Sequence, residues 1–468
     1  MNNNKSEKKC VCVQGLGYVG AAMATAVAHA SDEEGNRIYD VVGIDLPDET
    51  GRHRVESIKC GDFPFATTDE KLSSALSQAH VAGNITATTD ETILSKADIV
   101  VVDVQLDLVF GEDKSRLRFE EFEGAIRTIG RYVQPGTLIL VETTVPPGTC
   151  ANVVVPALDD ELVKRGFFEG DLLVAHSFER VMPGDEYLDS IVCFWRAYAG
   201  DTCAAAEACE TFLSSIVDVG RFPLSRLSSL TASEIAKVME NTYRAVNIAF
   251  IDEWTKYAEA VGVDLYEVVE AIRVRPTHSN IRFPGLGVGG YCLTKDPVFT
   301  PATVEQLHGL KDLDFPFSQL ATKVNRDMPL HAVERLSKLL GDNCEGKAIL
   351  VLGVSYRQDV GDTRHSPAET LVRTLETRGA QVTSYDPFVQ YWQEMDRSLP
   401  AELPAAEGVD AVVFATPHRE FQVLDVPKWL GDSCPVILDT VNVMTDKCRK
   451  LCRKAGIQVE SVGRGDGL

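Results

Sequence analysis

Short apolar runs and helical stretches alternate along the first half of the chain. KKCVCVQ, YDVVGIDLP, ADIVVVDV and TLILVETT are apolar at most positions. Such continuity predicts strands of a parallel sheet that is covered on both faces. Between them lie helical patterns, an alanine-rich one from Tyr18 and LRFEEFEGAIRTIGRYV further on. Strands alternating with helices predict a doubly wound α/β domain. After about Phe222 the pattern changes. LTASEIAKVMENTYRAVNIAFIDEWTKYAEAVG predicts a single helix of roughly 30 residues, ended by Gly262, and a helix this long usually links domains or forms a subunit interface. Near Gly346 the alternation resumes. GKAILVLGVSY predicts a strand and turn, SPAETLVRTLETRGA a helix ending at Gly379, and QVTSYDP, VDAVVFATP and CPVILDT further strands. The expected segments are 1–222, 223–335 and 336–468: one α/β domain, a helical middle and a second α/β domain.

Composition narrows the partners. The 468 residues are 44% hydrophobic and 25% charged, as in soluble globular proteins. Net charge is -23, from 69 acidic and 46 basic residues. That argues against nucleic acid or an anionic membrane as partner, and an anionic substrate then requires local Arg and Lys. No apolar run approaches the ~20 residues of a membrane span. Twelve cysteines occur without a CxxC pair, and nothing reads as a signal peptide, so reduced thiols in the cytoplasm are expected. Nine histidines show neither HxxxH nor HxH spacing, so no metal site is expected.

Five constellations carry chemistry. Gly15-Leu16-Gly17-Tyr18-Val19-Gly20 follows a predicted strand and opens a helix, with Asp45 closing the next strand. The glycines suit a tight turn that lets a pyrophosphate approach the helix N-terminus, and Asp45 suits the adenosine ribose. Leu46 and Pro47 follow Asp45 rather than Arg, which favours NAD over NADP. Thr143 and Thr144 end the fourth strand, where open sheets bind ligands; the alternative is that they only cap the next helix. Lys237, Asn241 and Arg244 share a helix face at spacings of four and seven, suited to a developing oxyanion; the alternative is a solvated polar face. Cys292 follows a glycine-rich loop with Gly285, Gly287, Gly289 and Gly290, and Asp296 comes four residues later. This suggests a nucleophile beside a carboxylate, against a buried structural cysteine. Asp296 also reads as an N-cap before Pro297 at the first helical position, which would set Cys292 near a helix N-terminus, a position that favours thiolate. Finally, Arg357 and Arg364 flank a turn after a strand, suited to phosphate or to surface salt bridges.

GLGYVG, TTVPPGT, FERVMPG, EIAKVMENTYRAVNIAF, PGLGVGGYCLTKD and GVSYRQDVGDTRHSP occur in this order over nearly the whole chain. Together they resemble the nucleotide-sugar 6-dehydrogenases of the UDP-glucose/GDP-mannose dehydrogenase family. The resemblance implies two Rossmann-like doubly wound domains joined by a long central helix and a helical middle domain. It also implies NAD-dependent oxidation of a sugar C6 alcohol to a carboxylate in two hydride transfers. By resemblance, Cys292 forms a thiohemiacetal and then a thioester, and Lys237 and Asn241 stabilise oxyanions. Asp296 and Thr144 organise water and proton transfer, and Glu179 activates the hydrolytic water. Lys295 and Arg364 match cofactor-contacting positions. Arg180, Arg244, Arg275, Arg357, Gly285 and Gly289 match the substrate side, and Arg273 and Arg275 are the candidates for a residue lent by a neighbouring subunit. Family members pack as dimers or higher through the long helix.

Two departures stand out. Val104-Gln105-Leu106-Asp107 replaces a VPTP-like run, and residues 31–38 look like an insertion. TYRAVNIAF and FERVMPG look like the UDP-N-acetylhexosamine branch, while GGYCLTKD with Lys295 looks more like the UDP-glucose branch. The expectation is therefore a UDP-N-acetylhexosamine 6-dehydrogenase, with UDP-glucose 6-dehydrogenase as the alternative. A two-electron hydroxyacid-type dehydrogenase and a non-catalytic nucleotide-sugar-binding protein are the readings of other classes. UDP-sugar and NAD are the expected ligands, in a cytoplasmic homodimer or larger homo-oligomer.

Overall fold

The computed structural model describes residues 8–109 and 116–465. They fall into two compact units, Met1–Met239 with Phe299–Asp314, and Glu240–Val298 with Phe315–Leu468.

The first unit is built on eight strands: β1 (Lys9–Gln14), β2 (Tyr39–Ile44), β3 (Ile85–Thr88), β4 (Ile99–Val102), β5 (Leu138–Val141), β6 (Leu173–His176), β7 (Ala197–Gly200) and β8 (Ser225–Arg226). They lie in the order β8-β7-β6-β5-β4-β1-β2-β3. The run β3-β2-β1-β4-β5-β6 is parallel throughout, and β7 is antiparallel to β6. This is the strand order of dinucleotide-binding sheets, whose ligand crevice opens between β1 and β4, where the order reverses. Six helices cover the faces: α1 (Tyr18–His29), α2 (Glu49–Cys60), α3 (Glu70–Ala82), α4 (Phe119–Tyr132), α5 (Val155–Lys164) and α6 (Cys203–Ser214). Val11, Val13, Val41, Val101 and Leu140 pack against α1, α2, α3 and α6. Cys12, Ile44, Val100, Val102, Ile139 and Val141 face α4 and α5. Burial on both faces is why these strands read as unbroken apolar runs.

Helix α7 (Leu230–Ala260) is 31 residues long, as its periodicity predicts, and Gly262 ends it at φ 75, a conformation glycine adopts without a Cβ penalty. The second unit adds α8 (Leu265–Arg273), the start of α9 (Tyr291–His308), which belongs to the first unit from Phe299 on, and α10 (Pro316–Leu339). Its sheet comprises β9 (Ala348–Leu352), β10 (Gln381–Tyr385), β11 (Ala411–Phe414), β12 (Val436–Asp439) and β13 (Val459–Ser461), all parallel, in the order β10-β9-β11-β12-β13. One face packs on α10 and α11 (Pro367–Thr377). The other covers Val412, Phe414 and Ile437 with Cys452 of α12 (Asp446–Lys454). Here the order reverses between β9 and β11, which makes their carboxyl ends the second ligand crevice.

One local expectation is corrected. Asp296 is not an N-cap, because α9 begins at Tyr291 and carries Asp296 in its second turn. Gly290, at φ 82, turns the chain into the helix, and the Thr294 hydroxyl donates back to the Gly290 carbonyl at 2.8 Å. Pro297 and Pro301 therefore sit inside the helix, where each removes one backbone donor. Among the described residues no disulfide forms, and no helix is long and apolar enough to cross a membrane.

Candidate active site and cofactor cradle

The three glycines after β1 do three different things. A Cβ on Gly15, whose φ is 96, would lie 2.5 Å from the Asp103 carbonyl oxygen. A Cβ on Gly20 would collide with the Gly15 carbonyl. Gly17 has no other atom within 4 Å of its Cβ position. The first glycine therefore makes the turn, the third lets α1 seat, and the second leaves the approach open. Gly17 heads α1 without a side-chain cap, so the leading backbone N–H groups suit an anion. Asp45 accepts from the backbone N–H of Leu16 at 3.1 Å and of Leu46 at 2.8 Å. Tyr18 stacks on Phe65 at 4.0 Å, and Val19 is half-buried beside it.

The structure adds a residue that sequence spacing hides. Arg54, nine positions beyond Asp45 on α2, reaches its carboxylate at 3.3 Å. With Asp45 present the cation is countered, which fits NAD. Asp45→Ala is expected to raise the KM for NAD about 10- to 100-fold, the loss of a hydrogen bond to a charged group. It also frees Arg54, so the NADP/NAD ratio of kcat/KM should rise; an unchanged ratio would refute the pairing's role.

At the carboxyl ends of β5 and β6 a second group collects in the same unit. Thr144 is buried there. The capping alternative for the threonines does not hold. The Thr143 hydroxyl donates toward the carbonyls of Val102 and Val104 at 3.0 and 2.8 Å. The turn entering the next helix is held instead by the buried Glu234 carboxylate, which accepts from Gly148 N at 2.6 Å and Cys150 N at 2.7 Å. Lys237, buried on α7, donates to the Glu179 carbonyl at 2.7 Å and lies 3.7 Å from its carboxylate. The Glu179 carboxylate also accepts from Val181 N. The Arg180 guanidinium packs over Phe178 at 5.0 Å and donates to the Trp195 carbonyl. Burial, then nearby Lys237, pushes His176 down to about 3, so it stays neutral and bonds Ser233 at 2.8 Å.

In the second unit Cys292 sits in the first turn of α9, and Asp296 lies one turn on. The Asp296 carboxylate is fully buried; it accepts from Asn241 Nδ2 at 2.7 Å and from Lys295 Nζ at 2.9 Å. Lys295 lies over the Tyr291 ring at 4.3 Å, and Arg364 lies over the same ring at 5.5 Å. Arg364 pairs in bidentate fashion with Asp362 at 2.9 and 2.7 Å. The glycine loop packs on its own chain. A Cβ on Gly289 or Gly290 would strike Tyr356, whereas Gly285 is open. Burial, then Asp362 and Cys292, pushes the Tyr356 hydroxyl up to about 12, which places the Cys292 thiol near that ring.

Arg244 parts company with Lys237 and Asn241. Those two are buried, while Arg244 is exposed; burial, and after it the charges of Arg244 and Arg273, lowers Arg282. Arg275 is exposed too. Arg357 is exposed on the turn after β9. The same crevice holds an unforeseen group. His418, fully buried at the end of β11, accepts from Asp359 N at 2.9 Å through Nδ1 and faces Asp386 and Ser355 at 3.1 Å through Nε2. The acid ending QVTSYDP was the available signal for Asp386.

The two crevices, the open glycine turn and the Cys292 helix define a dinucleotide-dependent dehydrogenase with a second nucleotide-binding domain. Models of the UDP-glucose/GDP-mannose dehydrogenase family match at residues 9–193 (NAD binding domain), 231–327 (central domain) and 350–446 (UDP binding domain). The chain is 32% identical over 461 residues to the UDP-N-acetyl-D-mannosamine dehydrogenase of Methanocaldococcus jannaschii, covering 98% of this chain and 97% of the relative. The structure of the UDP-D-ManNAc dehydrogenase from Pyrococcus horikoshii is similar at TM-score 0.81 and 30% identity, over 98% of this chain and 100% of that one. A UDP-glucose dehydrogenase from Pyrobaculum islandicum is similar at TM-score 0.80 and 25% identity, over 99% and 100%. The chain belongs to the UDP-glucose/GDP-mannose dehydrogenase family. It is an NAD-dependent nucleotide-sugar dehydrogenase that acts on a UDP-sugar.

Proposed function

We propose that the chain oxidises the C6 alcohol of a UDP-N-acetylhexosamine, of the GlcNAc, ManNAc or GalNAc type, to the uronic acid by way of a covalent Cys292 intermediate. The observation that carries this reading is Cys292 one helical turn before a buried Asp296 clamped by Asn241 and Lys295. Loss of a hydride from the carbon and a proton from the hydroxyl turns the alcohol into an aldehyde, and an aldehyde cannot lose a second hydride until a nucleophile adds. Cys292 supplies that nucleophile. The thiohemiacetal becomes a thioester, which holds the intermediate on the protein until water releases the acid. NAD, when bound, accepts one hydride in each oxidation. Lys237 and Asn241 offer a cation and an amide to the oxyanions. Asp296 and Thr144 organise water and proton transfer, and Glu179 activates the hydrolytic water. Lys295 and Arg364 serve the cofactor. Arg180, Arg244, Arg275, Arg357 and the loop of Gly285 and Gly289 serve the nucleotide-sugar. We keep 1–222, 223–335 and 336–468 as the functional segments.

Similarity to the M. jannaschii enzyme supports an N-acetylated sugar. UDP-glucose is the second reading, favoured by similarity to the P. islandicum enzyme and by Lys295 in GGYCLTKD. Homodimerisation through α7 is supported by an exposed apolar stripe of Met239, Tyr243, Phe250, Trp254 and Tyr257. Twelve unbridged cysteines fit a reducing cytoplasm.

NADH formation with limiting UDP-sugar, across a panel of UDP-N-acetylhexosamines and UDP-glucose, tests the reading. Two NADH per sugar are expected; one would overturn it. Lys237→Ala is expected to lower kcat about 10²- to 10³-fold, as loss of one oxyanion contact does, with a smaller change in sugar KM. A change confined to KM would make Lys237 a binding residue only.

A further inference from the structure

Two carboxyls face each other directly beneath the cofactor turn. In the β4–β5 ladder Val102 pairs with Val141, and the Glu142 N–H bonds the Val102 carbonyl at 3.1 Å. The next register pair is therefore Asp103 and Glu142, on strands about 4.8 Å apart. Both lie two residues beyond Val101 and Leu140, so both side chains enter the layer those residues share with α1 and α6. Asp103 Oδ2 and Glu142 Oε2 are buried, and among the described residues neither has a hydrogen-bond partner. Arg196, fully buried, pairs with the other oxygen of Glu142. Three carboxyls (Asp103, Glu142 and Glu179) then meet two cations, Arg196 and Lys237. Helix α1 brings Gly20 against the Asp103 side chain, where an added Cβ would lie 3.1 Å from the Asp103 Cβ. Helix α6 brings Cys209, whose thiol burial pushes up to about 12. A single retained proton makes the cluster neutral, and two like charges this close in a buried layer do not both ionise. Burial, and after it Glu142, pushes the Asp103 carboxyl well above the usual carboxylate range; burial raises Glu142 too, against the pull of Arg196.

This pair sits where the cradle is built. The Asp103 carbonyl is the atom that a Gly15 Cβ would strike, and Thr144 lies two residues beyond Glu142. We propose that Asp103 is a positioning residue of the NAD site, sharing one proton with Glu142 to hold the ends of β4 and β5 together beneath the dinucleotide turn. Loss of that proton sets two carboxylates against each other and opens the floor of the cradle. The inference rests on the glycine turn being the NAD site. Its sign is fixed: the bonded form is complete below the ordinary carboxylate value and is lost as pH rises through the raised folded value.

NADH affinity, measured by fluorescence titration from acidic to alkaline pH, tests the proposal. Wild-type affinity is expected to fall toward tenfold per pH unit on the limb above the raised Asp103 value, the slope of one linked proton. Asp103→Asn cannot ionise and keeps a donor, so it should flatten that limb, while Asp103→Ala should weaken NADH binding at every pH. Infrared spectroscopy of the wild-type protein at neutral pH should show the carbonyl stretch of a protonated carboxylic acid, absent from Asp103→Asn. A wild-type slope retained in Asp103→Asn, or no such band in the wild type, overturns the proposal. No NADH binding at any pH overturns the cofactor-site reading on which it rests, and the infrared band then still decides whether the proton is shared.

Discussion

Cys292→Ala is expected to lower kcat by up to about 10⁶-fold, the scale on which loss of a catalytic nucleophile acts. The physical reason is the second oxidation. On the proposed route, removing the thiol leaves the aldehyde no protein nucleophile to convert it into a species with a transferable hydride. The substitution removes one sulfur from a half-buried position in the first turn of α9, so the fold should survive, and the melting temperature is expected to move by no more than about 2–4 °C. Two measurements check the result. Single-turnover NADH formation should not reach two equivalents in the variant. Mass spectrometry of quenched wild-type protein with substrate should show a sugar adduct on the peptide carrying Cys292. Full steady-state turnover by Cys292→Ala would remove the thioester route and move the chain to a two-electron dehydrogenase.

Gly20→Ala and Gly17→Ala should separate packing from ligand approach. At Gly20 the added methyl meets the Gly15 carbonyl and lies 3.1 Å from the Asp103 Cβ. Neither is the far end of a flexible side chain, so α1 has to shift off β1. Overpacking of this kind costs about 1–3 kcal/mol or more, and the melting temperature should fall by several degrees. NADH affinity should fall with it, because the displaced turn is the proposed cradle. At Gly17 the methyl meets nothing within 4 Å, and φ is -66, which alanine adopts freely. Gly17→Ala should therefore melt like the wild type yet bind NADH at least about tenfold more weakly, the effect of a methyl group displacing a backbone hydrogen bond to a charged group. Equal NADH affinity in Gly17→Ala would mean that the pyrophosphate does not pass over this turn.

What could be read in advance was local. The unbroken apolar runs report burial on both faces, and they return as the parallel strands of both sheets. The glycine spacing reports the backbone demands of one turn. The period of α7 persists over 31 residues, far longer than any competing pattern. Where local rules competed, sequence misjudged. Asp-Pro at 296–297 has the form of an N-cap with proline at the first helical position, yet Gly290 had already turned the chain into α9. A spacing of seven puts Arg244 in line with Lys237, but a long side chain on the solvent-facing part of a helix follows its surroundings rather than its period.

By itself, then, the sequence determined the two doubly wound units, the long helix, the glycine turn with Asp45, and the thiol behind its glycine loop. Each depends on residues within a few turns or strands of one another, where periodicity and backbone sterics act directly. Only the tertiary structure decided that Arg54 would meet Asp45, that Asn241 would meet Asp296 across 55 positions, and that Asp103 would stand opposite Glu142. Those meetings are set by strand register and helix packing, which sum many weak contacts over the whole unit, and no single stretch of the chain encodes them.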